Sequence, residues 1–261
     1  LGNDFVIVDS RISPIQISPQ IAQGLGDRHQ GVGFDQLAVI NDSFDADVAL
    51  LFYNSDGSTA AACGNATRCI AQYEMDRRQV DSLSMITERG VLKAHRHGDM
   101  VSVNMGHPML EWDKIPLARR LDTLRLPFDG SPTATSMGNP HCTFFVENAE
   151  AVDLIQLGPI FENDPLFPER TNVQFAHVAG KDLLRMRVWE RGVGVTLASG
   201  SSSCATAVAA VRLGLTGRKV EIQLDGGMIY IDWRDDGVWM TGATLHVFDG
   251  VLTTQFLESL R

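Results

Sequence analysis

Cys63 lies in the stretch Ala61-Ala62-Cys63-Gly64-Asn65-Ala66-Thr67-Arg68-Cys69, where small and polar residues give way to the apolar positions Ile70, Tyr73 and Met75. This pattern predicts a helix that starts at Cys63. Unpaired N–H groups and the positive end of the helix dipole would stabilise a thiolate there, lowering its pKa from about 8.5 toward neutrality. The same N–H groups would hold a carboxylate. Ser199-Gly200-Ser201-Ser202-Ser203-Cys204 predicts an equivalent helix start, rich in capping residues. Inversion at a carbon centre needs two such groups. One removes the α-proton from one face, the other returns a proton to the opposite face, and donors around the carboxylate stabilise the carbanion between them. Taken singly, the two residues have plainer readings: Cys63 as a packed thiol among small neighbours, Ser199 as an ordinary helix cap.

Other residues could join this chemistry. His141 follows a turn in Ser136-Met137-Gly138-Asn139-Pro140-His141-Cys142 and precedes a β-rich run. Glu190-Arg191-Gly192 ends an alternating strand carrying Leu184, Met186 and Val188, where a surface ion pair is the default. Asn3, Asn54, Asn65, Asn139 and Asn172 lie near glycines or strand ends, a common setting for turns; together they could line a polar pocket for a zwitterion. Other chemistries lack their parts. Gly192-Val193-Gly194 has no third glycine for a dinucleotide loop, no phosphate loop with its lysine is present, and Leu197-Ala198-Ser199-Gly200-Ser201 is not a G-x-S-x-G elbow. No lysine has an evident pyridoxal-phosphate context.

The elements that must position these residues occur twice. A shift of 136 residues places Gly2-Asn3 on Gly138-Asn139, Gln36 on Asn172, Asn54 on Glu190, and Ala62-Cys63-Gly64 on Ala198-Ser199-Gly200. With no gap it also places Gly90 on Gly226, Asp99 on Asp235 and Gly106 on Gly242. Each match is weak alone; their common order carries the inference. Strand-like Phe5 to Val8 corresponds to Thr143 to Val146, helix-like Pro19 to Leu25 to Val152 to Phe161, and the strand pairs of Leu92 to Val103 to those of Met228 to Met240. The expected fold is α+β, with two pseudo-symmetric lobes, each a curled mixed sheet around a central helix. The lobes are expected at 1–107, carrying Cys63, and 133–261, carrying Ser199. A connecting segment, 108–132, holds Pro116, Pro127 and the turn formers Asp129-Gly130-Ser131-Pro132.

With 261 residues, 44% of them hydrophobic, the chain can bury a sizeable core. A net charge of −10 with 22 Lys and Arg argues against a nucleic-acid partner, which needs clustered cations. Apolar runs such as Ala205 to Leu213 are far short of the roughly 20 residues that cross a bilayer, so no membrane partner is expected. Four cysteines, none in a C-x-x-C pair, disfavour a disulfide scaffold and a structural zinc site. Thiols in a reducing cytoplasm are expected instead. The chain opens on Leu1 at the edge of a strand-like run, and further residues are expected upstream.

Several of these stretches together resemble the diaminopimelate epimerase family: Gly2-Asn3-Asp4-Phe5, Asp35-Gln36, Asn54-Ser55-Asp56-Gly57, Cys63-Gly64-Asn65-Ala66-Thr67-Arg68-Cys69, Met137-Gly138-Asn139-Pro140-His141, Thr171-Asn172-Val173 and Glu190-Arg191-Gly192. The resemblance covers essentially the whole chain. It implies interconversion of LL- and meso-diaminopimelate in lysine biosynthesis, with no metal, no pyridoxal phosphate and no other cofactor, by a cytoplasmic homodimer acting on a small amino-acid substrate. It also implies that Cys63 is one catalytic base with His141 as its proton-handling partner, and that Glu190 partners the second base. Asn3, Gln36, Asn54, Asn139, Asn172 and Arg191 match substrate-binding positions, and Gly64-Asn65 with Gly200-Ser201 match the backbone that cradles the reacting carboxylate. The chain departs from the family pattern at one place: Ser199 stands where the second catalytic cysteine is expected. A hydroxyl is a far weaker acid than a thiol and needs strong activation. Three readings stand: an introduced replacement that traps substrate or precludes a disulfide with Cys63; a native serine activated by Glu190; or a relative with other chemistry, such as a one-base dehydratase, another amino-acid racemase or a catalytically impaired amino-acid binder.

Overall fold

A computed structural model describes residues 1–11, 15–60 and 63–260. Ala61 and Ala62, which precede Cys63 in its motif, lie outside the described residues. The chain forms two compact units, Asn3–Val103 with Ala243–Arg261, and Leu1–Gly2 with Asn104–Gly242.

In the first unit, β-branched and aromatic residues build β1 (Phe5–Asp9). Helix α1 (Pro19–Gly26) follows, with Ser18 capping it by accepting from the Ile21 N–H and Pro19 in its first turn. Then come β2 (Gln36–Asn41), β3 (Val48–Asn54), β4 (Thr59–Ala60), α2 (Gly64–Arg78), β5 (Ser82–Thr87), β6 (Gly90–His97) and β7 (Met100–Asn104). The sheet order is β1-β2-β3-β5-β6-β7, with β4 on β3; β1/β2 and β3/β5 are parallel and the rest antiparallel. Helix α2 packs on β5 and β6. A core of Ile21, Leu25, Phe34, Leu37 and Tyr53 lies under α1, and Leu252, Phe256, Leu257 and Leu260 close it from the C-terminal segment.

The second unit repeats this plan. Its elements are β8 (Thr133–Ser136), β9 (Pro140–Phe145), a 3-10 turn (Ala149–Ala151), α3 (Leu154–Glu162), β10 (Asn172–Gly180), β11 (Leu183–Glu190), β12 (Gly194–Thr196), α4 (Gly200–Arg212), β13 (Lys219–Leu224), β14 (Gly227–Arg234) and β15 (Gly237–Gly242). The order β9-β10-β11-β13-β14-β15, with β12 on β11, carries the same parallel and antiparallel pairings, and β8 extends it at β9. Helix α4 touches β8, β9, β10, β13, β14 and β15, so the sheet wraps it. Its Ala205, Ala207, Val208, Ala209 and Ala210 are buried, and side chains this small let strands approach from several sides. The expected α+β fold, with a curled sheet around a central helix, is thus observed.

Register refines the repeat. Phe5 pairs with Gln36 as His141 pairs with Asn172, both 136 positions on. Beyond the helices the offset becomes 137: Ser82 pairs with His95 as Lys219 pairs with Asp232. Gly90 (φ +110°) therefore corresponds to Gly227 (φ +128°), because both open a hairpin strand in a conformation that favours glycine. The gapless matches of Gly90 with Gly226, Asp99 with Asp235 and Gly106 with Gly242 are corrected by one residue. The cause is that α4 ends two residues sooner than α2 while the chain to its next strand is three residues longer.

Residues 108–132 form an irregular segment within the second unit, where Ile115, Leu117 and Leu126 join the core of Phe144, Val173 and Phe175. The C-terminal residues Ala243–Arg261 belong with the first unit. The compact units therefore divide the chain differently from the lobes drawn at 1–107 and 133–261. No helix among the described residues is long and apolar enough to cross a membrane.

Candidate active site

Each unit carries a potential proton-transfer group at the N-cap of its long helix. In the first unit, Cys63 caps α2 from an extended backbone (φ −142°, ψ 106°), and its Sγ accepts from the Ala66 N–H at 3.4 Å. The Thr67 N–H and hydroxyl both bond the Cys63 carbonyl, at 2.9 and 2.7 Å. The N–H groups of Gly64 and Asn65, in the first turn, have no intrahelical acceptor and can serve an anion. The other thiols have different settings. Burial pushes the Cys69 and Cys142 thiols up, and Cys204 is buried in the α4 core.

The predicted polar residues of the first unit form hydrogen-bonded pairs. Asn65 Nδ2 donates to Asn3 Oδ1 at 2.7 Å, and Asn3 Nδ2 donates to Asp35 Oδ2 at 2.9 Å. Asp35 is held in turn by the Arg28 guanidinium at 2.9 Å. Hydrogen bonds from that same guanidinium hold the Asp4 carboxyl below the usual carboxylate range, against the opposing effect of burial. Gln36 Nε2 donates to Asn54 Oδ1 at 2.9 Å across the β2/β3 register, and Asn54 Nδ2 donates to Ser58 Oγ at 3.0 Å. Asn65 Oδ1 is buried and lacks a hydrogen-bond partner among the described residues, so it is an acceptor available to a bound donor.

In the second unit Ser199 caps α4 from the same backbone region (φ −137°, ψ 120°), but its side chain makes no cap bond. Its hydroxyl donates to Glu190 Oε2 at 2.8 Å. The other carboxylate oxygen, Oε1, accepts from Thr196 Oγ1 at 2.6 Å. Glu190 ends β11 and faces Gly194 across the tight turn to β12, where Gly192 and Gly194 adopt positive φ. Nearby, Asn172 uses its amide as a strut: Nδ2 donates to the Pro140 carbonyl at 2.9 Å, and Oδ1 accepts from the Arg191 N–H at 3.1 Å. The Arg191 side chain donates to the Glu169 carbonyl at 2.9 Å.

His141 is fully buried in β9. Its Nε2 lies 3.0 Å from Asn139 Oδ1, and Asn139 Nδ2 reaches Ser201 Oγ, in the first turn of α4, at 3.4 Å. Gln174, whose Nε2 lies 3.1 Å from His141 Nδ1, Thr196 and Asp35 contact site residues although sequence reasoning gave none of them a site role. Asp35-Gln36 stood in a motif, which was a signal; Thr196 and Gln174 had none beyond strand patterning. Among the described residues no three His, Cys, Asp or Glu side chains gather as metal ligands.

This arrangement defines a class: a duplicated α+β fold with a potential acid–base group capping one helix in each half. Solved structures share the fold. A Pseudomonas aeruginosa structure described as a predicted epimerase superposes with a TM-score of 0.68 at 17% identity, covering 97% of this chain and 94% of that one. A PhzC/PhzF phenazine biosynthesis protein from Clostridium difficile does so with a TM-score of 0.63 at 16% identity, covering 95% and 92%. The diaminopimelate epimerase family pattern matches residues 1–111 and 133–247. Diaminopimelate epimerases from Rhodospirillum centenum and Zymomonas mobilis are each 46% identical to the chain, covering 98% and 96% of it and 91% and 93% of their own lengths. The chain belongs to the diaminopimelate epimerase family.

Proposed function

We propose that the chain interconverts LL- and meso-diaminopimelate, an isomerase step of lysine biosynthesis, through two proton-transfer groups, Cys63 and the Ser199–Glu190 pair. Family membership supports the reaction. The observation that carries the second group is the 2.8 Å hydrogen bond from Ser199 Oγ to Glu190 Oε2 at the start of α4. Glu190 can take the hydroxyl proton as Ser199 accepts one from carbon, and give it back in the reverse direction. Cys63 performs the first transfer as a thiolate favoured by its helix N-terminus, with His141 as its proton-handling partner.

Substrate polar groups are taken by Asn3, Gln36, Asn54, Asn139, Asn172 and Arg191. The first-turn N–H groups of Gly64-Asn65 and Gly200-Ser201 hold the reacting carboxylate, where negative charge grows as the proton leaves. Because a serine hydroxyl is a much weaker acid than a thiol, the second group is slow. The active form is proposed to be a cytoplasmic homodimer, which light scattering would read as twice the 28.6 kDa chain.

Turnover of LL-diaminopimelate by the protein and by its Ser199→Cys, Glu190→Gln and Cys63→Ala variants tests this reading. Ser199→Cys is expected to raise kcat by about 100-fold, the scale of a well-matched acid–base group. Glu190→Gln is expected to lower the activity of the Ser199 form by a comparable factor, and Cys63→Ala to abolish it. A Ser199→Cys variant with no turnover at all would overturn the assignment.

A further inference from the structure

The geometry points to Gln174 as a positioning residue that fixes His141 as the Nε2–H tautomer, with that N–H directed at Asn139. The inference rests on the reading of His141 as a proton-handling residue, and supplies the reason its ring holds one protonation pattern. Gln174, on β10, is fully buried, as are Thr143, His141 and Ser202. Thr143 Oγ1 donates to Gln174 Oε1 at 3.1 Å. Gln174 Nε2 lies 3.0 Å from Ser202 Oγ and 3.1 Å from His141 Nδ1.

Donor counting decides which way the carboxamide faces. With Nε2 toward His141, both amide hydrogens are used, one on Ser202 and one on the ring, and Oε1 is filled by Thr143. With the amide turned over, Oε1 would accept twice, but Nε2 would have only Thr143 to donate to, stranding one buried N–H. A stranded buried donor costs about 1–3 kcal/mol, whereas an unfilled second lone pair costs little. Nδ1 is therefore an acceptor, and the ring proton sits on Nε2. The donors then run in one direction, from Thr143 through Gln174, His141 and Asn139 to Ser201 in the first turn of α4. Such a directed chain polarises each bond along it. His141 thus presents a proton, not a lone pair, toward the residues at the start of α4.

Nitrogen-15 NMR of histidine-labelled protein reads the tautomer directly, with His141→Gln giving the assignment. The expected spectrum has a protonated Nε2 and an unprotonated Nδ1. Thr143→Val removes the hydroxyl that orients the amide and should yield a mixture of tautomers. Gln174→Glu, nearly isosteric, should place the proton on Nδ1 and lower kcat at least about tenfold with little change in KM, as a wrongly protonated histidine does. Gln174→Met, which keeps volume without donors, is read by the same spectrum if the glutamate variant folds poorly. A protonated Nδ1 in the unaltered protein, or a tautomer unchanged in every Gln174 variant, would overturn the proposal. If His141→Gln retains full turnover while the spectra behave as expected, the role given to His141 falls and the positioning by Gln174 stands.

Discussion

Ser199 occupies the N-cap position of α4 without a side-chain cap bond, since its hydroxyl donates to Glu190 instead. Leaving a cap bond unmade forgoes about 1 kcal/mol of helix stability, an arrangement expected where side-chain geometry serves chemistry rather than the helix. Cys63 and Ser199 were legible in the sequence because small and capping residues before an apolar run mark a helix start. Thr196 and Gln174 were not, since their partners come from adjacent strands and from α4, a pairing that no local pattern encodes. Asn172 was legible as a polar residue at a strand end, but not as a backbone strut. A second residue, Glu74, shows what a purely structural carboxylate looks like in this fold. It is fully buried and bonded by Arg11, Arg77 and Arg78. Burial acts to raise its pKa, and the three guanidinium groups outweigh that effect, holding it at about 2. A carboxyl depressed in the folded state stabilises the fold fully above its ordinary value near 4.5 and loses that contribution as pH falls through 2. Glu74→Gln should therefore cost about 3 kcal/mol in urea unfolding at pH 7, with the gap to the unaltered protein narrowing between pH 4.5 and 2. A gap independent of pH would contradict this account.

Elements explain how a glutamate is delivered to Ser199. Strand β11 ends at Trp189-Glu190, and the face of α3 meets it through Gly158, where an added Cβ would lie 2.4 Å from the Trp189 ring. Trp189 Nε1 donates to Glu162 Oε2 at 2.6 Å, and the Gly192 N–H donates to Glu162 Oε1 at 2.7 Å. One carboxylate at the end of α3 thus holds both the strand end and the turn beyond Glu190. Gly158→Ala is expected to destabilise the protein by about 1–3 kcal/mol through overpacking, lowering the thermal midpoint, and to reduce turnover by displacing Glu190. Unchanged stability and turnover would show that the α3 contact does not position this strand. The four longer helices, strands β1 and β11 and the hairpins β6/β7 and β14/β15 were legible from periodicity, while strands such as β2, β3, β5, β10 and β13 were not singled out. The one-residue change of offset after the helices was not, because a gapless comparison can follow matching glycines without seeing which of them opens a hairpin.

At the scale of the molecule, duplication is the feature that sequence revealed best: strand order, pairing sense and helix caps repeat in both compact units. The division of the chain was less legible. A constant offset assigns the C-terminal residues to the second half, whereas Leu252, Phe256, Leu257 and Leu260 close the core under α1. Apolar side chains show that a segment packs, but not which body it packs on. Ending the chain at Val251 should therefore destabilise the first unit by about 3 kcal/mol, the burial lost from these four side chains, with hydrogen exchange rising in α1 and β2 more than in α4. Uniform exchange across both units would contradict this. The central claim is that inversion uses two unequal proton-transfer groups, a competent thiol at Cys63 and a weak hydroxyl–carboxylate pair at Ser199 and Glu190. Deuterium incorporation at Cα, started separately from the LL and meso isomers in heavy water, tests it most directly. With Ser199 in place, exchange should be fast from the isomer whose proton faces Cys63 and slow from the other, and Ser199→Cys should make both fast and speed inversion. Equal exchange from the two isomers with Ser199, or none from either in the cysteine variant, would contradict the account.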